Sequence, residues 1–485
     1  MTADQAHSPS SATASDARRL AYQLGFAAAL LYLAFLPPGI YSDDGNSMLG
    51  VAESIITRHN LIVTAGLGIP GRGGQIYSIY YPLQSLLAVP FVGAAALAAR
   101  LLHSPFHFMA AAFAGVLPAL YTAATVALVA WMALQLGSTL QGARGAALSF
   151  GFGTVAMVYA RTFYAEPLLS LLVTAAVCLT ITRSSRKIFF AALLALLAVL
   201  AKPTGILLGP PLSLYLFLKK TPARLSILPA AGSVFGLFFY FLYNILRFGN
   251  PLYFGPPWAF SLSAIPQGIT GLLCSPGRGI LWYCPPVLIA ILGFRKAVRA
   301  KQIEAPLIVV LFAGFLGLHS AVPFWHGGWS WGPRYLLPVL PGLTALTGLL
   351  EGKAAKGLLI LAFAGFLVNA PAMVSYYERY YAEAKEQGVS ENDLLWSVSR
   401  APLLHAWGAA SREIEDARNH DVREIFQQAG TPSATIASSR ALRVVALWWW
   451  VLPLVHIPRL LGFACSLGMA AWACLILFRM RLGPL

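Results

Sequence analysis

Long apolar runs separated by short polar turns make up most of the chain. The first begins near residue 20 and is closed at "LPPGIYSDDGNSMLG", residues 36–50, by two adjacent carboxylates, Asp43 and Asp44. A bilayer core about 30 Å thick takes roughly 20 apolar residues per helix. Runs of that kind continue over 107–135, 146–161, 167–182, 188–201, 204–218, 225–246, 272–294, 305–322, 335–350 and 357–373. The last apolar region, "LWWWVLPLVHIPRLLGFACSLGMAAWACLILF", opens with Trp448, Trp449 and Trp450, which read as an interface anchor before one or two further spans. The pattern predicts an all-α polytopic membrane protein with about a dozen spans and no internal repeat.

Composition agrees. Of 485 residues, 58% are hydrophobic and only 11% charged, too little polar surface for a soluble globule of this length. The net charge of +16 does not point to nucleic acid, because the basic residues sit in short turns and form no continuous basic face. They encode topology instead. Clusters at Arg18 and Arg19, at Arg183, Arg186 and Lys187, at Lys219, Lys220 and Arg224, at Arg295, Lys296, Arg299 and Lys301, and at Lys353 and Lys356 face the cytoplasm by the positive-inside rule, with the loop around Arg144. A crossing over 80–102 would move every later cluster outside, so that segment, with Pro82, Pro90 and Arg100, is expected as an interfacial or re-entrant helix.

The expected organisation is a cytoplasmic tail over 1–19, a transmembrane module over 20–373 with a first outer loop at 41–106, a polar outer segment over 374–440, and a Trp-rich C-terminal membrane region over 441–485. The first run lacks a small-residue cleavage pattern and reads as a retained signal anchor. In the outer segment, "YYERYYAEAKEQ" and "SREIEDARNHDVREIFQQ" mix charges of both signs at helical spacing, as a solvated helical cap would, and the segment is expected to shape acceptor access while supplying no catalytic group. The cysteines, Cys178, Cys274, Cys284, Cys465 and Cys474, lack CxxC spacing and predict neither zinc site nor disulfide framework.

Sorting the 18 carboxylates isolates a few. Ten lie between Glu378 and Glu424, two in the tail, and Glu304 and Glu351 beside cytoplasmic turns, leaving Asp43, Asp44, Glu53 and Glu166 on the outer side. That side also carries isolated cations: Arg58, Arg72, Arg161, Lys202, Arg247, Arg278 and Arg334. Charges near lipid are costly and mark water-filled functional cavities. A phosphate wants cations, and a hydroxyl to be deprotonated wants a carboxylate, so the set suits an anionic lipid-linked substrate. Helix capping by the aspartates and lipid-headgroup binding by the arginines account for the same charges.

An uncleaved first span followed by an acidic pair in a long outer loop resembles the GT-C class of polytopic glycosyltransferases. Within it, "SDDGNSMLGVAESIITRHNLIV" is similar to the first outer loop of the protein O-mannosyltransferase and lipid A aminoarabinose transferase group, with Asp43 at the catalytic aspartate and Glu53 at a second acid. "YSIYYPLQSLLAVPF", "ARTFYAEPLLSLL" with Glu166, and "LLAVLAKPTGILL" with Lys202 resemble later segments of that group. "RFGNPL", "SPGRGILWYCPP" and "WHGGWSWGPRYLLPVLP" resemble a bacterial mannosyltransferase-like branch. The likeness covers roughly residues 20–350. This chain departs from the pattern in having Asp44 where Glu is usual, and Ile79, Tyr80 and Tyr81 where a Lys is expected.

The resemblance implies a membrane glycosyltransferase with a polyprenyl-phosphate sugar donor and a lipid, glycan or protein hydroxyl as acceptor, acting at the outer face of the cell (inner) membrane. Asp43 would take the acceptor proton during inverting attack, assisted by Asp44 and Glu166. Lys202 and Arg334, then Arg278 and Arg247, would hold the donor phosphate. Lys202 lies in "AKPTG", where a break in the helix frees backbone N–H groups, although a lysine there also snorkels readily to an interface. Glu53, Tyr81, Trp325, His326, Trp329, Trp331 and Tyr335 are the expected substrate pocket; the tryptophans equally suit an aromatic belt and His326 a structural role. No cofactor is expected; a divalent ion on Asp43, Asp44 and Glu166 is compatible with the residues but not required. The alternative is a lipid or sugar transporter, or a non-catalytic subunit of envelope glycan assembly. Convergence of Asp43, Glu166, Lys202 and Arg334 in one outward-facing pocket separates the enzyme from these.

Reporter fusions after residues 186, 220, 298 and 354 are expected to read cytoplasmic, and fusions near 60, 256 and 400 external. A cytoplasmic signal at residue 400 would overturn the sidedness of the charged cluster.

Overall fold

The computed structural model describes residues 14–64, 66–253, 260–419 and 447–480. The first helix, α1 (Ala14–Ala34), buries Leu24, Ala27, Ala28 and Tyr32 and stops before Pro37-Pro38. After a short extended stretch, α2 (Asp43–Arg58) starts where the Ser42 hydroxyl accepts a hydrogen bond from the Gly45 N–H, and it ends at a left-handed His59. A two-stranded antiparallel hairpin follows, β1 (Ile69–Pro70) with β2 (Ile76–Tyr77), pairing Ile69 with Tyr77. Next come α3 (Pro82–Leu101), with Pro82 at its first turn, α4 (Phe106–Ala114) and α5 (Val116–Gln135).

The middle of the chain forms the bundle. It comprises α6 (Leu140–Gly153), α7 (Ala156–Tyr159), α8 (Ala165–Ile181), α9 (Ser185–Ala201), α10 (Gly209–Leu218), α11 (Ala223–Ser226) and α12 (Leu228–Phe248). Then follow α13 (Ile265–Cys274), α14 (Ile280–Tyr283), α15 (Ala290–Arg299), α16 (Glu304–Ser320), α17 (Leu340–Thr347) and α18 (Gly352–Asn369). Helix α1 packs along α5, and Tyr32 Oη donates to the Gly151 carbonyl of α6 at 2.7 Å. Helices α9 and α12 approach closely because α12 offers Gly232 and Gly236 there; a Cβ on Gly232 would lie 2.1 Å from the Ala192 carbonyl oxygen. Small residues let backbones meet where lipid gives apolar side chains no reason to hide.

Five helices are long and apolar enough to cross a membrane by length and composition: Pro82–Leu101, Phe106–Gln135, Ala223–Phe248, Gly352–Asn369 and Arg459–Arg479. Most other expected spans are present as shorter or broken helices. The run 272–294 is not one helix, because the prolines of "SPG" and "CPP" remove N–H donors and split it into α13, α14, a 3₁₀ turn (Pro285–Ile289) and α15. Likewise 146–161 breaks at extended Thr154, and 335–350 begins as a 3₁₀ turn (Arg334–Val339) before α17. Among the described residues the C-terminal region holds one such helix, not two, after a 3₁₀ turn (Trp448–Val455). Helix α3 has the length to cross, yet its main contacts are with α2 and α4, the helices that frame the Asp43–Asp44 end of the bundle.

The outer segment differs most from expectation. Among the described residues it has a buried side as well as a solvated one, carried by α19 (Pro371–Val374), α20 (Glu378–Glu386), α21 (Glu391–Trp396) and α22 (Pro402–Asn419). The tyrosines of "YYERYY" turn inward; Tyr376, Tyr377, Tyr380 and Tyr381 are buried, and Tyr381 Oη donates to the Ser330 carbonyl at 2.9 Å. The rest of that segment, 420–440, lies outside the described residues. The chain's last described helix is α23 (Arg459–Arg479).

Glu413 of α22 is buried and accepts a hydrogen bond from the Tyr376 N–H at 2.8 Å. Burial raises its carboxyl to about 8, opposed by that hydrogen bond and by Arg161. The folded chain therefore keeps a proton that the unfolded chain releases above the ordinary carboxylate range. The stability this contributes is complete below that range and is lost as pH climbs toward 8. Thermal unfolding of the purified protein should show a midpoint that falls between about pH 5 and about pH 8, with a shallower fall in Glu413→Gln; an identical slope in the variant would contradict this.

Candidate functional site

At the end of the bundle where α2 begins, four charged side chains from separate parts of the chain meet. Asp44 sits in the first turn of α2; its Oδ2 receives Arg334 Nη1 at 3.1 Å and its Oδ1 receives Tyr80 Oη at 2.6 Å. Arg334 opens the 3₁₀ turn after Gly332-Pro333. Gly332 is needed there: its φ is +59°, and a Cβ would lie 2.7 Å from the Tyr283 ring. The guanidinium lies over Tyr164 at 4.3 Å and Tyr335 at 5.1 Å, and its Nε is 3.5 Å from Glu166 Oε1.

Glu166 occupies the first turn of α8, where a negative charge complements the helix dipole. Lys202 sits at the break after α9; Pro203 keeps it out of the helical region, at φ −163° and ψ 133°. Its Nζ donates to Glu166 Oε1 at 2.7 Å and lies 4.3 Å from the centre of the Tyr335 ring. Lys202 is only 4% exposed, so it does not snorkel to an interface. Two buried cations facing two carboxylates make a neutral cluster, the only affordable way to keep such charges from water. Beside it opens a cavity of about 610 Å³, open mouth included, lined by all four residues with Tyr80, Tyr81 and Tyr335 and the apolar Met48, Val322 and Phe324.

Asp44, Glu166, Lys202, Arg334, Tyr81 and Tyr335 are thus brought together, with Asp44 in the place where the sequence criterion named Asp43. Asp43 is not in the cavity wall: it is exposed, one residue from Asp44, and makes no hydrogen bond or ion pair among the described residues. Partial desolvation, and then the charge of Asp44, raise its carboxyl.

Other expected residues serve the walls. Arg247 is buried and donates to the carbonyls of Ser78 and Tyr80 and to Asn244 Oδ1 at 2.7 Å, so it fixes the loop that carries Tyr80 and does not line the cavity. Arg278 donates to the carbonyls of Gly277, His326 and Gly328 and to Tyr381 Oη, which likewise engages it away from the cavity. Glu53 pairs with His107 at 2.8 Å. Trp325 packs on Trp396, and Trp331 donates to Asn369 Oδ1 at 2.8 Å; both are buried inside protein, forming neither belt nor pocket wall. Trp329 stacks on Tyr381. His326 Nδ1 accepts from the Gly328 N–H at 3.2 Å, and burial with Arg278 and Arg334 lowers its pKa to about 4, so it is neutral at physiological pH.

Three participants were not anticipated. Tyr80 hydrogen-bonds Asp44, and Tyr164 backs Arg334. Glu378, at the start of α20, accepts from Tyr376 Oη at 2.6 Å; burial raises its carboxyl to about 8, the hydrogen bond opposing and the charges of Asp43 and Asp44 adding to the rise. The sequence offered one signal for Tyr80, its position where the resembling family has a lysine, and none for the others. Among the described residues no three His, Cys, Asp or Glu side chains are grouped to hold a metal ion, and the carboxylates of Asp44 and Glu166 already face cations.

No protein-family model and no curated protein matches the sequence. Solved structures do match in fold. ArnT from Cupriavidus metallidurans aligns in the apo state and also bound to undecaprenyl phosphate, each time with a TM-score of 0.50 at 14% identity over 95% of this chain and 78% of that one. The Archaeoglobus fulgidus oligosaccharyltransferase is more distant, with a TM-score of 0.43 at 10% identity over 81% of this chain and 54% of that one. The chain is therefore an integral membrane protein with a GT-C-like, mainly helical polytopic fold.

Proposed function

We propose that this chain is a glycosyltransferase that moves one sugar from a polyprenyl-phosphate donor to an acceptor hydroxyl on the outer face of the cell membrane, with inversion. The observation that carries this is the meeting of Asp44, Glu166, Lys202 and Arg334 in one cavity, from positions spread over nearly 300 residues of chain. The structure of ArnT bound to undecaprenyl phosphate, similar in fold, supports a lipid phosphate as the ligand.

Lys202 and Arg334 receive the donor phosphate, and their charge stabilises the departing phosphate more than proton donation would. Glu166 and Asp44 hold the two cations in place before the ligand arrives, in the geometry the phosphate requires. The cluster is neutral overall, so one added negative charge suits it better than several. This favours a donor with a single phosphate over a diphosphate.

Both Asp44 oxygens already take donors, Arg334 on one and Tyr80 on the other. Asp43 has no such partner, and its raised pKa brings it nearer the range of an effective base. Asp43 takes the hydroxyl proton as the acceptor oxygen attacks the anomeric carbon. The bond from that carbon to the phosphate oxygen breaks on the opposite face, and its electron pair leaves with the phosphate.

Sugar transfer by purified, membrane-inserted protein, supplied with lipid-linked sugars extracted from the parent strain, tests this assignment. Asp43→Asn should lower turnover by about 10² to 10⁴ with donor binding little changed. A parental rate in Asp43→Asn together with a loss in Asp44→Asn would move the base one residue along; parental rates in both would reduce the pair to helix caps. Mass spectrometry of envelope glycans from a deletion strain would name the missing product.

A further inference from the structure

A second cavity, of about 410 Å³ with its open mouth included, lies beside the start of α2 and shares no lining residue with the first. Its wall includes Tyr41, Ser42, Phe163, Tyr376, Tyr377 and Glu378. Ser42 faces this cavity and Asp44 the first one, so Asp43 stands between residues that line the two. Phe163 also belongs to this wall, and its carbonyl oxygen would lie 3.1 Å from a Cβ on Gly45, so the loop before α8 presses directly against the first turn of α2.

Building on the glycosyl-transfer reading, we propose that this second cavity is the acceptor site and that its ligand is a neutral saccharide, held with one ring hydroxyl toward Asp43.

The chemistry of the wall selects that class. Tyr41 and Tyr376 are 5.0 Å apart between ring centroids, and Tyr377 adjoins Tyr376 at 6.4 Å, giving aromatic faces of the kind that pack on the C–H face of a pyranose. Glu378, joined to Tyr376 Oη at 2.6 Å, and the hydroxyls of Ser42 and Thr162 supply polar groups for ring hydroxyls. An anionic acceptor is disfavoured, because Asp43 and Asp44 stand close enough to act on Glu378, and the cation in the wall, Arg161, donates through its Nη1 to the carbonyls of Ala372 and Ser375. The walls come from the end of α1, the loop before α8 and the α19–α20 junction, so the outer segment completes the pocket of one substrate without touching the other.

Full-length protein in lipid nanodiscs, free of glycoside detergent, can be examined by saturation-transfer NMR with methyl glucopyranoside, methyl mannopyranoside, methyl galactopyranoside and a peptide containing serine and threonine. Undecaprenyl phosphate binding is measured on the same samples. At least one methyl glycoside is expected to bind the parent. Its affinity should fall by about tenfold or more in Glu378→Ala and in Tyr376→Ala, since each removes a buried hydrogen-bonding or stacking partner. Glu378→Gln, which keeps the shape and a hydrogen-bonding head, should retain most of the binding, and none of the three changes should alter undecaprenyl phosphate affinity. If Tyr376→Ala does not fold, the Glu378 pair decides alone. Parental glycoside binding in Glu378→Ala, binding of the peptide but no glycoside, or loss of undecaprenyl phosphate along with glycoside would each overturn the assignment. Failure of the parent to bind undecaprenyl phosphate, with glycoside binding intact and sensitive to Glu378, would count instead against the donor reading alone.

Discussion

One buried carboxylate organises this protein. Glu166 lies between Lys202, 2.7 Å away, and Arg334, 3.5 Å away, and none of the three reaches bulk water to any extent. Removing charges from water carries a penalty of several kcal/mol per ion, so the cluster persists only while its members stay together. That requirement ties the start of α8, the break after α9 and the 3₁₀ turn before α17 to one point, and Asp44 adds the start of α2 through Arg334. Tyr335 beneath Lys202 and Tyr164 against Arg334 supply aromatic faces where lipid or water would otherwise be.

The local breaks in the helices follow from that convergence. A continuous helix through residues 201–208 would turn Lys202 away, and Pro203 prevents it; a continuous helix into Arg334 is prevented by Gly332-Pro333. The same device explains why the bundle contains so many short helices and 3₁₀ turns at this end. Backbone irregularity is tolerated in a membrane protein where it is buried in protein or lines a cavity, and both conditions hold here. Tyr376, Tyr377 and Glu378, at the junction of α19 and α20, then meet Tyr41 and Ser42, just before α2, around the second cavity.

How far the sequence foretold this depends on the kind of residue. Lys202, Glu166 and Arg334 stood out because a charge isolated among apolar neighbours has few innocent explanations, and the fold was legible in the family resemblance carried by the ordered motifs. Arg247 and Arg278 stood out for the same reason yet proved to be bound to backbone carbonyls. A linear sequence does not distinguish a guanidinium that holds a wall from one that awaits a ligand. Glu378 and Tyr376 were invisible for the opposite reason: in "YYERYY" the charges disguise a segment whose tyrosines are buried. The choice between Asp43 and Asp44 also needed three dimensions, since adjacent residues on a helix point about 100° apart, and only Asp44 turns toward Arg334.

The central claim is that the neutral cluster is a phosphate site, and phosphorus NMR of undecaprenyl phosphate in nanodiscs tests it most directly. With the parent protein, a phosphorus signal shifted from that of free lipid is expected, and it should vanish both in Lys202→Met and in Arg334→Met protein that remains folded. A shifted signal that survives both substitutions, or no shifted signal with the parent, would contradict the account.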